Sequence, residues 1–282
     1  MAKFSDYEDD VIKEIEKEHE KRGFLAFMTI IFRKFLPLIN INFLFLVFSL
    51  PYILLLFWFS PINATSISQW SGDMAVLLAA MPVKSAFLVD IMLRFMFAML
   101  VCVLWGTGPA SAGISYILRN YSRGEFAWVW ADFIGTIKEN IKQSLIVLAV
   151  DIAAIFVFST LINFYTNVMT GPMSVVSMVL IGIFLLLYTF MHFYIYQLMV
   201  SFEDTTKQLY KNALLFAMIK WMPNLLMLIF VAAAIVALFY YTQLYALLFF
   251  AVILTIILAL VIHFNASRII ARFIQAQNTQ NK

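Results

Sequence analysis

Residues 86–118 read AFLVDIMLRFMFAMLVCVLWGTGPASAGISYIL, and this stretch decides the fold class. Over its whole length it carries two charged side chains, Asp90 and Arg94. As a single helix it would measure about 50 Å, against about 30 Å of hydrocarbon in a bilayer. A segment this apolar and this long crosses a membrane, and it must also tilt, project or break. Pro109 marks where a break would fall. It has no N–H, and its ring disrupts the helical bond to the carbonyl of Trp105. Ala110, Ser111, Ala112 and Gly113 follow at once. Two readings of Gly108–Pro109 stay open: close helix packing through small faces, or an unwound stretch lining a binding site, as in discontinuous transporter helices.

Working outward, five more stretches are long and apolar enough to span: 36–59, 144–165, 174–200, 224–241 and 244–264. None shows the period-2 alternation of a membrane β-strand. Composition agrees: 63% of the 282 residues are hydrophobic and 12% charged, with a mean hydropathy of +0.91. Soluble domains are about half apolar and a quarter charged. The expected fold is an all-α membrane protein with six transmembrane helices. A net charge of +3 with no concentrated basic surface outside the membrane flanks excludes a nucleic-acid partner. The single cysteine, Cys102, allows neither an intrachain disulfide nor a cysteine metal cluster.

The first 22 residues are a charged segment, unlike the short basic n-region of a secretory signal. They read as a solvated cytoplasmic helix that stops at Gly23. The chain thus divides into a charged helix at 1–23, a transmembrane domain at 24–264, and a cytoplasmic tail at 265–282. Within the second part, 24–34 is apolar and reads as an interfacial helix ahead of the first span. All Lys and Arg but Lys84 and Arg94 flank one side of the six spans. The positive-inside rule then puts both termini in the cytoplasm. Two amphipathic cytoplasmic helices are expected on that side, at 126–143 and 207–221. Phe126, Trp130, Phe133, Ile134, Ile137 and Ile141 form the apolar stripe of the first, and Tyr210, Leu214, Ala217 and Trp221 that of the second.

The run Gly108-Pro109-Ala110-Ser111-Ala112-Gly113, then Arg119 and Arg123-Gly124-Glu125, resembles the signature of the YesL-like family. Trp130-Ala131-Asp132-Phe133, Lys138 to Gln143, and Lys211-Asn212-Ala213-Leu214-Leu215 through Pro223 are similar to other segments of that family. The family consists of bacterial integral membrane proteins often encoded beside carbohydrate ABC transporters. The resemblance implies a bacterial plasma membrane location and a link to sugar uptake, with ABC permease or ATPase subunits as candidate partners.

Enzymatic constellations find no support. His19, His192 and His263 have no ligand spacing, so no metal is expected. The glycines at 106, 108 and 113 lack the Lys-Ser/Thr of a phosphate loop. No catalytic residue and no cofactor is expected. Ionisable residues inside a bilayer are costly and face the bundle interior. Asp90 and Arg94, four apart near the outer boundary, are expected to form an ion pair. Asn40, Asn42, Gly108, Pro109, Asp151 and His192 fall at one height in the cytoplasmic half by helical rise. They form a candidate intramembrane polar site, around water, a sugar or another small polar ligand, or a polar pair that locks packing. His263, at the end of the last span, reads as interfacial. Arg119, Arg123 and Glu125 form a candidate partner surface. Two functions follow: an accessory or regulatory subunit of a carbohydrate importer, or a transporter or channel with its own polar site.

Overall fold

The computed structural model describes residues 23–61, 76, 80, 83–169, 171–249 and 253–280. The charged helix expected at 1–23, apart from Gly23, and most of residues 62–82 lie outside them. Among the described residues the chain is helical, with no strand. In order the helices are α1 Gly23–Arg33, α2 Phe35–Trp58, α3 Val83–Leu104, α4 Pro109–Ser122 and α5 Val129–Asn167. Then come α6 Pro172–Met199, α7 Thr206–Ile219, α8 Trp221–Phe249 and α9 Thr255–Gln280.

Among the described residues, four helices are long and apolar enough to cross a bilayer: α2, α3, α5 and α6. A fifth span exists if α7 and the start of α8, bent by 88° at Lys220, count as one broken crossing. The apolar part of α9, Thr255–Ala271, is shorter, about 25 Å at helical rise. The outer faces of α5 and α6 are apolar: Phe156 is 72% exposed, Phe184 62% and Val175 65%. A surface of that kind belongs in lipid rather than water, so this is a multi-pass membrane protein.

Three expectations need correction. The expected second span is two helices, α3 and α4, separated by the non-helical residues Trp105–Gly108. The amphipathic helix expected at 126–143 is not separate from the third span; both form the 39-residue α5. Nothing between Gln143 and Ser144 breaks a helix, and the Ser144 hydroxyl bonds back to the Asn140 carbonyl at 2.8 Å within the same ladder. The change from charged to apolar residues there marks a change of solvent, not of backbone. The division expected between 241 and 244 is also displaced: α8 continues to Phe249 and α9 starts at Thr255.

The second amphipathic helix does form, as α7. A reciprocal cap starts it: the Gln208 N–H meets the Thr205 hydroxyl, and the Thr205 N–H donates to Gln208 Oε1 at 3.0 Å. Beyond Lys220 the chain turns sharply into α8, whose Pro223 sits in the first turn, where a missing N–H costs nothing. Buried Tyr194 of α6 locks this corner by donating to Asn224 Oδ1 at 2.6 Å.

At the centre lies α4, short and buried on nearly every side from Ala110 to Tyr121. It packs most extensively on α5. Gly113 allows the approach, because a Cβ there would stand 2.7 Å from the Phe133 ring. Close packing through small residues therefore describes 110–113, while the backbone at 105–108 is unwound.

Candidate functional site

The buried stripe of α5 runs Phe133, Ile137, Ser144, Val147, Asp151, at spacings of three, four and seven. This is one helical face, and it points at the core formed by α4 and α6. Asp151 is fully buried on it. His192 of α6, also buried, brings Nε2 to 3.0 Å from Asp151 Oδ1. This is the close approach of an ion pair, but the ring N–H does not align on the oxygen as a hydrogen bond. The same oxygen accepts from the Tyr188 hydroxyl at 2.6 Å. Asp151 Oδ2 and His192 Nδ1 are buried with no hydrogen-bond partner among the described residues. The phenols of Tyr52, Tyr196 and Tyr210 lie near enough to feel the carboxylate's charge. A carboxylate and an imidazole thus share a site closed to lipid, with hydrogen-bonding capacity left over.

Trp105 covers this pair. Its indole stacks on His192 with centroids 5.8 Å apart, meets Tyr188 edge-on at 4.8 Å, and donates Nε1–H to Thr189 at 3.0 Å. Beyond it the backbone unwinds. Gly106 has φ +85, and a Cβ there would fall 2.5 Å from the Tyr196 ring, so glycine is required twice over. The freed backbone groups find side-chain partners. Thr107 N–H donates to Ser111 Oγ at 2.7 Å, Gly108 N–H to the Tyr196 hydroxyl at 3.0 Å, and the Thr107 and Ser49 hydroxyls meet at 2.7 Å. Pro109 then opens α4 at its first position, where it needs no partner.

On the far side of Trp105 lies a groove of about 630 Å³ between α3, α5 and α6. Apolar side chains line most of it; Ser159, Asn163 and Asn167 of α5 add polar groups, and Trp105 and Thr189 are also on its wall.

The residues expected to converge do so in part. Asp151 and His192 meet, and Gly108 is tied to the same face of α6 through Tyr196, while Pro109 only opens α4 next to it. Asn42 is buried on α2, but Asn40 is exposed on the opposite face and does not belong to the site. Two positions apart on a helix is about 200°, so the two amides could not share a face. His263, expected at the interface, instead turns to α4, with Nε2 3.3 Å from Ser115 Oγ. Asp90 and Arg94 form their ion pair at 2.9 Å, and Arg94 also reaches the Trp58 carbonyl at 3.5 Å.

The candidate partner surface divides. Arg119 is half-buried and tied inward, donating to the Val200 carbonyl and to Ser201 Oγ at 3.3 Å, with its guanidinium over the Tyr116 ring. It staples the end of α4 to the end of α6. Only Arg123 and Glu125 are exposed, next to exposed Phe126, Trp128 and Trp130. Trp105, Tyr188 and Tyr196 belong to the site but were not expected there. Their signal is the spacing Tyr188, His192, Tyr196, every fourth residue of one helix.

Compared with protein-family models, characterised proteins and solved structures, the chain finds no match.

Proposed function

We propose that this chain is a non-enzymatic protein of the bacterial plasma membrane, with six spans and both termini in the cytoplasm, that moves a small polar solute. The working site is Asp151 and His192 beside the break at 105–108. The observation that carries this reading is the buried carboxylate–imidazole pair whose Oδ2 and Nδ1 have no partner among the described residues. Buried ionisable groups in a membrane are costly, and a pair serving only to lock packing would be expected to satisfy its own atoms. The unwound stretch beside it supports the same reading, because irregular backbone at membrane depth is tolerated where it lines a cavity. The groove behind Trp105 supplies an approach, and the resemblance in the sequence suggests a sugar as the solute.

Thermal unfolding of the purified full chain in lipid nanodiscs, against a panel of mono- and oligosaccharides, tests this. A sugar should stabilise the native protein and lose that effect in Asp151→Asn. No stabilisation by any member of the panel would count against the sugar assignment, and stabilisation that survives Asp151→Asn would remove the site. For the orientation, cysteine at position 68 should label from outside intact cells, and Glu125→Cys should label only after permeabilisation. The reverse pattern would overturn it.

A second reading, an accessory subunit of a carbohydrate ABC importer, rests on the exposed cluster of Arg123, Glu125, Phe126, Trp128 and Trp130. Its test is co-purification of a permease or ATPase with the native chain, weakened by charge reversal at Arg123 or Glu125.

A further inference from the structure

His263 has no role in the site described above, yet it lies behind the same break. A cavity of about 30 Å³ sits between α3, α4, α6 and α9, and His192, His263, Tyr196, Ser111 and Cys102 are on its wall. That volume holds a water molecule, which needs polar partners on two or more sides. The wall offers two imidazoles and the three hydroxyls of Ser111, Tyr196 and Thr255. Nδ1 of His192 and Nδ1 of His263 are both buried and without a partner among the described residues. His263 is held at its other nitrogen by Ser115, whose own hydroxyl proton goes to the Ser111 carbonyl at 2.6 Å. A hydroxyl donating there receives at its oxygen, so Nε2 carries the N–H of a neutral His263 and Nδ1 is the acceptor.

We propose that water in this cavity joins His192 to His263, making Asp151, His192 and His263 a proton relay from α5 through α6 to α9. The proton is the bound species. A step from the His192 imidazolium passes one proton to the water while the water passes one to Nδ1 of His263. Only N–H and O–H bonds break and form, and the water is regenerated. Asp151 stabilises the charge while it rests on His192. The titratable groups facing the relay are Tyr52 on α2, Cys102 on α3, Tyr188 and Tyr196 on α6, and Tyr210 on α7. Phenols and thiols ordinarily titrate above neutrality. The carboxylate and the two imidazoles are the groups through which the proton passes. Arg268, further along α9, lies over the Phe264 ring. The relay deepens the transport reading and rests on it, as the ion-carrying half of that site.

The test uses the full chain in lipid bilayers, labelled with ¹⁵N-histidine. The sequence has three histidines, and His19→Gln assigns the third signal. In the native chain, water-edited solid-state NMR should transfer magnetisation from water to the rings of both His192 and His263. A ring that stays dry overturns the bridge, and this measurement needs no variant in the site. On titration, His192→Asn should move the His263 midpoint by roughly half a pH unit or more, as coupled sites do. An unmoved midpoint in a variant with native thermal stability overturns the relay. Dry or uncoupled histidines, with sugar stabilisation still dependent on Asp151, would remove the relay and leave the transport site. Wet and coupled histidines without any solute effect would do the opposite.

Discussion

The backbone N–H of Gly108 donates to the hydroxyl of Tyr196 at 3.0 Å, joining positions 88 residues apart in the chain. An unwound stretch buried inside the bundle leaves amides without helical partners, and each must find another or cost several kcal/mol. Tyr196 supplies one for α4, and its ring also fills the space that a side chain at position 106 would occupy. The break and the His192 face of α6 are therefore one structural unit.

Tyr196→Phe should lower stability by about 1–3 kcal/mol, the cost of a buried amide left without an acceptor. Thermal unfolding in detergent measures it. Gly106→Ala should be at least as damaging, since it meets both the positive φ and the Tyr196 ring. A neutral result in both would mean that the break is not held by this contact.

Removing one member of the buried pair should cost more than removing both. His192→Leu leaves the Asp151 carboxylate without its imidazole, at a loss on the order of 3–5 kcal/mol, whereas Asp151→Asn with His192→Leu should recover part of it. A double-mutant cycle reads the coupling directly. Additive single effects would show that the two groups do not interact.

The Asp90–Arg94 pair should behave differently. Both side chains are about a quarter exposed and lie one turn apart on a helix. Asp90→Asn should cost no more than about 0.5 kcal/mol and should matter less as salt is raised. A loss as large as that from His192→Leu would mean that the pair has a structural role beyond its own helix.

At the α7–α8 corner, Asn224→Leu removes the acceptor for the buried Tyr194 hydroxyl. The expected loss is about 1–3 kcal/mol. Adding Tyr194→Phe should restore part of it, because the stranded hydroxyl is then gone. Failure of that rescue would place the role of Asn224 elsewhere, at its weaker contact with the Ala217 carbonyl.

Hydrophobic run length and helical periodicity are local properties, and they suffice for the helical membrane class, for α2 and α6 almost to the residue, and for α7. The proline in 86–118 located the break, since a missing N–H is a fact of the residue itself. The depth of Asp151 and His192 followed from helical rise, and their shared cost in lipid suggested that they meet. Direction did not follow. Rise gives height without facing, so it groups Asn40 with Asn42 and leaves His263 at the end of its span. The stripe from Phe133 to Asp151 was present in the sequence, but the change of polarity at Ser144 hid its continuity. The remainder depended on packing. Which phenol satisfies Gly108, which indole covers His192, and which carbonyl holds Arg119 are set by residues 80 to 90 positions away. Only the folded bundle brings those partners within hydrogen-bond reach, and only there does a buried polar atom with no partner become visible.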